Sequence, residues 1–158
     1  MFKRILLCYD GSDAARAALK QGAELAIFFK AEVHLLLVQV GADPALVASA
    51  AGYASLVDNV GLNQTMVAQS VERLRARGVT AYGHVTRGDT IEEIVSYAKS
   101  LAVDLIVVGH YPRPAGGRWW AGPAKLALAE RVNCSVLIAL NNANSPPGAS
   151  SPTRPGAL

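Results

Sequence analysis

The chain has 158 residues, 51% of them hydrophobic and 17% charged, which suits one domain with a full apolar core and excludes general disorder. Its net charge of +3 tolerates an anionic ligand but is too small, without a nucleic-acid-reading motif, to point to DNA or RNA. The longest apolar runs, near Val33–Val38 and Leu105–Val108, fall far short of the roughly 18 residues of a membrane-spanning helix.

Lys3–Tyr9 is an apolar run with a basic start, and Asp10-Gly11-Ser12-Asp13 supplies turn formers and N-cap candidates. The chain therefore opens as strand, tight turn, helix. That helix is expected over Ala14–Phe29, with Ala18, Leu19, Gly22, Leu25, Ala26 and Phe29 on its apolar face and Arg16, Lys20 and Glu24 on the other. Glu32–Val40 has the unbroken Val/Leu pattern of a strand covered on both faces. Gly41–Tyr53 fits either a loose helix or a loop. Val60, Met66, Val67, Val71 and Leu74 predict a second helix over Ser55–Arg77, with Arg73, Arg75 and Arg77 near its C-terminus and Gly78 as its stop. A strand over Val79–Val85, a helix over Ile91–Leu101, a strand over Val103–Gly109, a helix over Pro123–Val132 and a strand over Ser135–Leu140 complete a βαβαβαβαβ alternation. Such alternation implies a parallel sheet with helices on both faces. Asn141–Leu158, rich in Asn, Ser, Pro and Gly, reads as a tail following a domain of residues 1–140.

The N-terminus has two basic residues, Lys3 and Arg4, but no long apolar stretch or small-residue cleavage pattern, so a cytoplasmic protein is expected. Cys8 and Cys134 lie in or beside strand-like runs without Cys-x-x-Cys spacing, as buried reduced thiols do. His34, His84 and His110 are dispersed and show no metal-ligand spacing, so no metal is expected beyond Mg accompanying a nucleotide. A nucleophile elbow and a complete phosphate-binding P-loop are both missing, and an enzyme is the weaker reading.

In an open parallel sheet, ligands bind beyond the carboxyl ends of the strands where strand order reverses. Two turns qualify: Tyr9-Asp10-Gly11-Ser12 after the first strand and Gly109–Gly122 after the fourth. A carboxylate and a glycine turn at a helix start suit a nucleotide, although Asp10 and Ser12 serve equally as plain caps.

The run Lys3–Ser12 resembles the first strand and Asp-Gly-Ser turn of universal stress proteins. Arg87-Gly88-Asp89-Thr90-Ile91-Glu92-Glu93-Ile94 resembles the turn into that family's third helix, and Asp104–Gly109 and Cys134–Ile138 resemble its fourth and closing strands. The resemblance spans Met1–Leu140 and implies a five-stranded parallel sheet of order 3-2-1-4-5, a Rossmann-like α/β fold of the adenine nucleotide alpha-hydrolase type. It further implies a homodimer through the Ser135–Leu140 edge strand and an adenine nucleotide (AMP, ADP or ATP) as ligand. Many members bind ATP through Gly, two residues, Gly, nine residues, Gly, then Ser or Thr. On this chain that pattern falls on Gly109, Pro112, Gly122 and Pro123, so its spacing persists while two of its four residues are lost.

Each proline lacks a backbone donor, and Pro123 lacks the hydroxyl. Two lost phosphate contacts at about 1.5–3 kcal/mol each weaken binding by roughly two or more orders of magnitude. A lightly charged nucleotide such as AMP needs fewer of them. By the resemblance, Asp10 and the Val38 backbone correspond to ribose and adenine positions, with Tyr9, Gly11, Ser12, Gly109, His110, Gly122, Ala124 and Lys125 completing the cofactor-binding set. Arg113, Arg118 and Lys125 offer positive charge to a phosphate or form an ordinary solvated loop, and Trp119 and Trp120 fit core and loop packing as well as base stacking. The rival is a dimeric interaction module that binds protein partners without nucleotide. Catalysis, if present, is limited to slow ATP hydrolysis.

Overall fold

A computed structural model describes residues 1–39, 50–110 and 123–140. Strands β1 (Arg4–Cys8), β2 (Glu32–Gln39), β3 (Ala81–Arg87), β4 (Leu105–His110) and β5 (Ser135–Leu140) alternate with helices α1 (Asp13–Phe29), α2 (Ala50–Ala76), α3 (Thr90–Ser100) and α4 (Pro123–Arg131). All strand pairs are parallel, in the order β3-β2-β1-β4-β5. Right-handed crossovers moving from β1 towards β3 put α1 and α2 on one face of the sheet. The change of direction at β1/β4 puts α3 and α4 on the other.

Two cores result. Ile5, Leu7, Val33 and Leu35 meet Ala18, Ala23 and Ala26 of α1 and Val67, Val71 and Leu74 of α2. Leu6, Cys8, Leu36, Ile106 and Val108 meet Ile94 and Ala98 of α3 and Leu128 of α4. Alternate residues of each central strand thus enter opposite cores, which is why those strands read as unbroken apolar runs. On α1, Arg16, Lys20 and Glu24 are exposed as the helical spacing requires. Its small residues bring it close to the sheet, so that a Cβ at Gly22 would stand 2.2 Å from Leu7 Cδ2.

Several boundaries differ from the sequence-based ranges. Ala50–Tyr53, left open between helix and loop, belong to α2, which begins before Ser55; residues 41–49 lie outside the described residues. β3 starts at Ala81 instead of Val79, because the Val79 N–H turns back to the Leu74 carbonyl and Gly78 closes the helix at φ +80°. β4 likewise starts after Val103, whose N–H bonds to the Ala98 carbonyl. Of the three arginines near the end of α2, Arg75 pairs with Glu72 and donates through Nε and Nη2 to the Ala81 carbonyl, tying the helix to the start of β3.

Two of the three histidines are brought together by the sheet. Although 50 positions apart, His34 on β2 and His84 on β3 meet, with His34 Nδ1 3.0 Å from His84 Nε2. Strand pairing produces this, since His84 stands opposite Leu36, two residues from His34 on the same face. Arg4 and Glu32 extend the chain of contacts, at 2.8 Å between themselves and 3.4 Å from Glu32 to His34 Nε2. Among the described residues, no three His, Cys, Asp or Glu side chains are grouped to hold a metal, and no helix is long and apolar enough to cross a membrane.

Candidate functional site

The order reverses at β1, flanked by β2 and β4, so the crevice beyond its carboxyl end is where an open α/β sheet receives ligands. The pairings Cys8 with Leu36 and Leu7 with Val107, carried forward along the strands, set Asp10 level with Val38 on one side and His110 on the other. The Tyr9 N–H donates to the Leu36 carbonyl at 2.9 Å, holding the chain against β2 up to the turn. Sequence-distant candidates Tyr9, Asp10, Gly11, Ser12, Val38, Gly109 and His110 therefore share one edge. Tyr9, Val38 and Gly109 are buried there.

The turn itself is held by short-range chemistry. Asp10 Oδ1 accepts hydrogen bonds from the Ser12 N–H, at 3.0 Å, and from the Ser12 hydroxyl. Ser12 Oγ in turn accepts from the Ala15 N–H at 3.1 Å as the N-cap of α1. Ser12, buried, is thus committed to capping the helix and orienting Asp10. Gly11 adopts φ +78°, a left-handed conformation that side-chain-bearing residues enter at a cost. This turn places α1's first amides, and their partial positive charge, at the same edge.

On the other side of β1, Gly109 and His110 pair with Ala139 and Leu140 as β4 ends. Pro123 is the first residue of α4, with Ala124 and Lys125 in its first turn, where amides have no intrahelical partner. Because α4 runs back to the start of β5, its N-terminus lies towards the carboxyl edge. Gly122, Pro112, Arg113, Arg118, Trp119, Trp120 and the segment Asn141–Leu158 lie outside the described residues.

Two further residues border this edge. Met66 of α2 packs on the back of Gly11, its Sδ 2.8 Å from where a Cβ would stand. The Gln39 Nε2, at the end of β2, is buried with no hydrogen-bond partner among the described residues. Helical spacing marks Met66 as a core residue but carries no sign of which turn it meets. At the far corner, Thr86 donates to Glu93 at 2.8 Å and Asp89 caps α3 through the Glu92 N–H at 3.0 Å. Asp104 lies at the amino edge instead; backbone N–H bonds from Lys3 and Arg4 hold its carboxyl below the usual range and tie β4 to β1.

The architecture is that of an open α/β sheet whose switch point, at β1, lies beside an Asp-Gly-Ser turn and the end of β4. Residues 1–139 match the model of the universal stress protein family, and the chain belongs to that family. It is similar to the universal stress protein MJ0531 of Methanocaldococcus jannaschii, at 27% identity over 140 residues covering 87% of this chain and 82% of that one. Universal stress protein YxiE of Bacillus subtilis is 26% identical over 148 residues, covering 87% and 99%. The solved structure of UspA from Lactobacillus plantarum superposes with a TM-score of 0.72 at 22% identity, covering 87% and 97% of the two chains. Other solved universal stress proteins of this fold hold nucleotides: one is a complex with cAMP, one from Arabidopsis thaliana has AMP bound, and one from Archaeoglobus fulgidus is in complex with dAMP. Their TM-scores are 0.65, 0.66 and 0.60.

Proposed function

We propose that this chain is a cytoplasmic, homodimeric universal stress protein that senses an adenine nucleotide of low phosphate number, AMP before ATP, in the crevice between β1 and β4. The observation that carries this reading is the strand register, which sets Asp10 level with the carboxyl ends of β2 and β4. In this reading Asp10 and the Val38 backbone hold ribose and adenine. Tyr9, Gly11 and Ser12 shape the turn, and Gly109, His110, Gly122, Ala124 and Lys125 receive the phosphate. Supporting it, three fold neighbours hold AMP, cAMP or dAMP, each with a single phosphate. Pro112 and Pro123 argue the same way, since each withdraws a donor that a longer phosphate chain would use.

Isothermal titration with AMP, ADP and ATP tests the proposal. AMP should bind most tightly, Asp10→Ala should remove the heat, and Gly122→Val should abolish binding while leaving the dimer intact. No heat with any nucleotide at high protein concentration would overturn it in favour of the interaction module.

The dimer common to both readings is supported by β5, an edge strand with Ile138 and Leu140 43% and 54% exposed. An unpaired apolar edge is an aggregation hazard unless another chain covers it. Replacing both residues with lysine should convert the dimer to monomer in light scattering.

A further inference from the structure

We infer that Met66, on α2, is a positioning residue for the nucleotide site, holding the Asp10-Gly11-Ser12 turn from behind. The inference rests on the nucleotide reading above and extends it to an element that reading leaves unused. Hydrogen bonds within the turn orient Asp10 relative to Ser12, and those to Leu36 and from Ala15 fix it to β2 and α1, so the face of Gly11 turned towards α2 is left to side-chain packing. Met66 supplies an anchor from outside the turn: its Sδ and Cε lie 2.8 and 3.3 Å from the position a Gly11 Cβ would take.

The architecture brings the contact about. With 27 residues, α2 is about 40 Å long, well over the span of the eight-residue β2 beside it. Its C-terminal end is tied to the start of β3 by Arg75, and Val67 and Val71 pack over Gly83. One residue before Val67, Met66 reaches β1's carboxyl edge while packing against the same core cluster that contains Tyr9 and Val67. An unbranched thioether suits an irregular gap between a helix and a glycine turn, because it bends to fill space that a β-branched side chain cannot. The arrangement also favours glycine at position 11: φ +78° strains a residue that bears a Cβ, and the Met66 thioether would have to shift to make room for one.

The test compares Met66→Ala with Val71→Ala, a core truncation on the same helix away from the turn. Both should lower the melting temperature. Met66→Ala should also weaken AMP binding on the order of tenfold, the scale seen when an orienting partner of a ligand-holding group is removed. Val71→Ala should leave affinity within about threefold, as independent sites do. Met66→Leu, which refills the gap, should restore affinity to near the wild-type value. In ligand-free protein, the Gly11 and Ser12 amide resonances should shift in Met66→Ala and stay put in Val71→Ala. Equal losses of affinity in the two alanine variants, or unmoved Gly11 and Ser12 amides, would overturn the inference. Failure of the wild type to bind AMP would overturn the nucleotide reading alone, and the amide resonances would still decide whether Met66 positions the turn.

Discussion

Two glycines in helices, given the same substitution, should move stability in opposite directions. Gly22 lies in the middle of α1 against the fully buried Leu7, and an added Cβ would stand 2.2, 3.2 and 3.3 Å from three of its side-chain carbons. Gly61 lies within α2 with nothing inside 4 Å of the same atom. Alanine is favoured over glycine in a helix by about 0.5–1 kcal/mol, and Gly61→Ala should gain that amount. Gly22→Ala gains it too, but must force Leu7 from its packing or push α1 off the sheet, at a cost of about 1–3 kcal/mol. A 2.2 Å approach to a fully buried side chain lies towards the upper end, so the net loss should be about 1–2 kcal/mol, or roughly 3–8 °C in Tm. Urea denaturation of the two variants measures this as midpoint shifts of opposite sign at unchanged slope. In a Leu7→Ala background the Gly22→Ala penalty should vanish, because the colliding atoms are gone. A Gly22→Ala protein stabilised like Gly61→Ala would refute the reasoning, since α1 would then stand further from β1 than the close approach described above.

Ser12→Ala should cost about 1 kcal/mol through the lost N-cap and also weaken AMP binding, because Asp10 loses the hydroxyl that orients it; thermal unfolding and titration read the two effects separately. His84 has its pKa lowered from 6.5, first by burial and then by the neighbouring His34. The folded protein thus binds fewer protons than the unfolded chain below about pH 6.5, and stability should fall with decreasing pH until His84 is protonated in both states. Urea midpoints between pH 7.5 and 5 should show this slope, and His84→Gln should flatten it. Burial pushes the Cys8 thiol far up and raises Cys134 less, so alkylation of the native protein at pH 8 should modify Cys134 slowly and reach Cys8 only after unfolding. Rapid native labelling of Cys8 would contradict its placement between β1 and the α3/α4 layer.

Much of this molecule is written in local pattern. Val-, Ile- and Leu-rich runs define β1, β2, β4 and β5, and the spacing of Ala18, Gly22, Ala26 and Val67, Val71, Leu74 defines helices that bury one side. Their alternation dictates a parallel sheet between two helical layers. Local pattern was weakest where a helix cap and a strand start compete for the same residues, as at Val79 and Val103, whose N–H groups close helix ends instead of joining the sheet. Strand order came from the family resemblance, because periodicity says which face a residue takes but not which strand lies beside it.

Contacts between distant residues were decided only by the tertiary structure. His34 and His84 read as unrelated until β2 and β3 pair, and Met66 reads as generic core until α2 is seen to extend to the turn at Gly11. Asp10 and Gly109 become neighbours for the same reason. A residue's own sequence surroundings record its burial and local geometry, whereas the identity of its partner depends on how whole elements pack, and that is a property of the assembled chain.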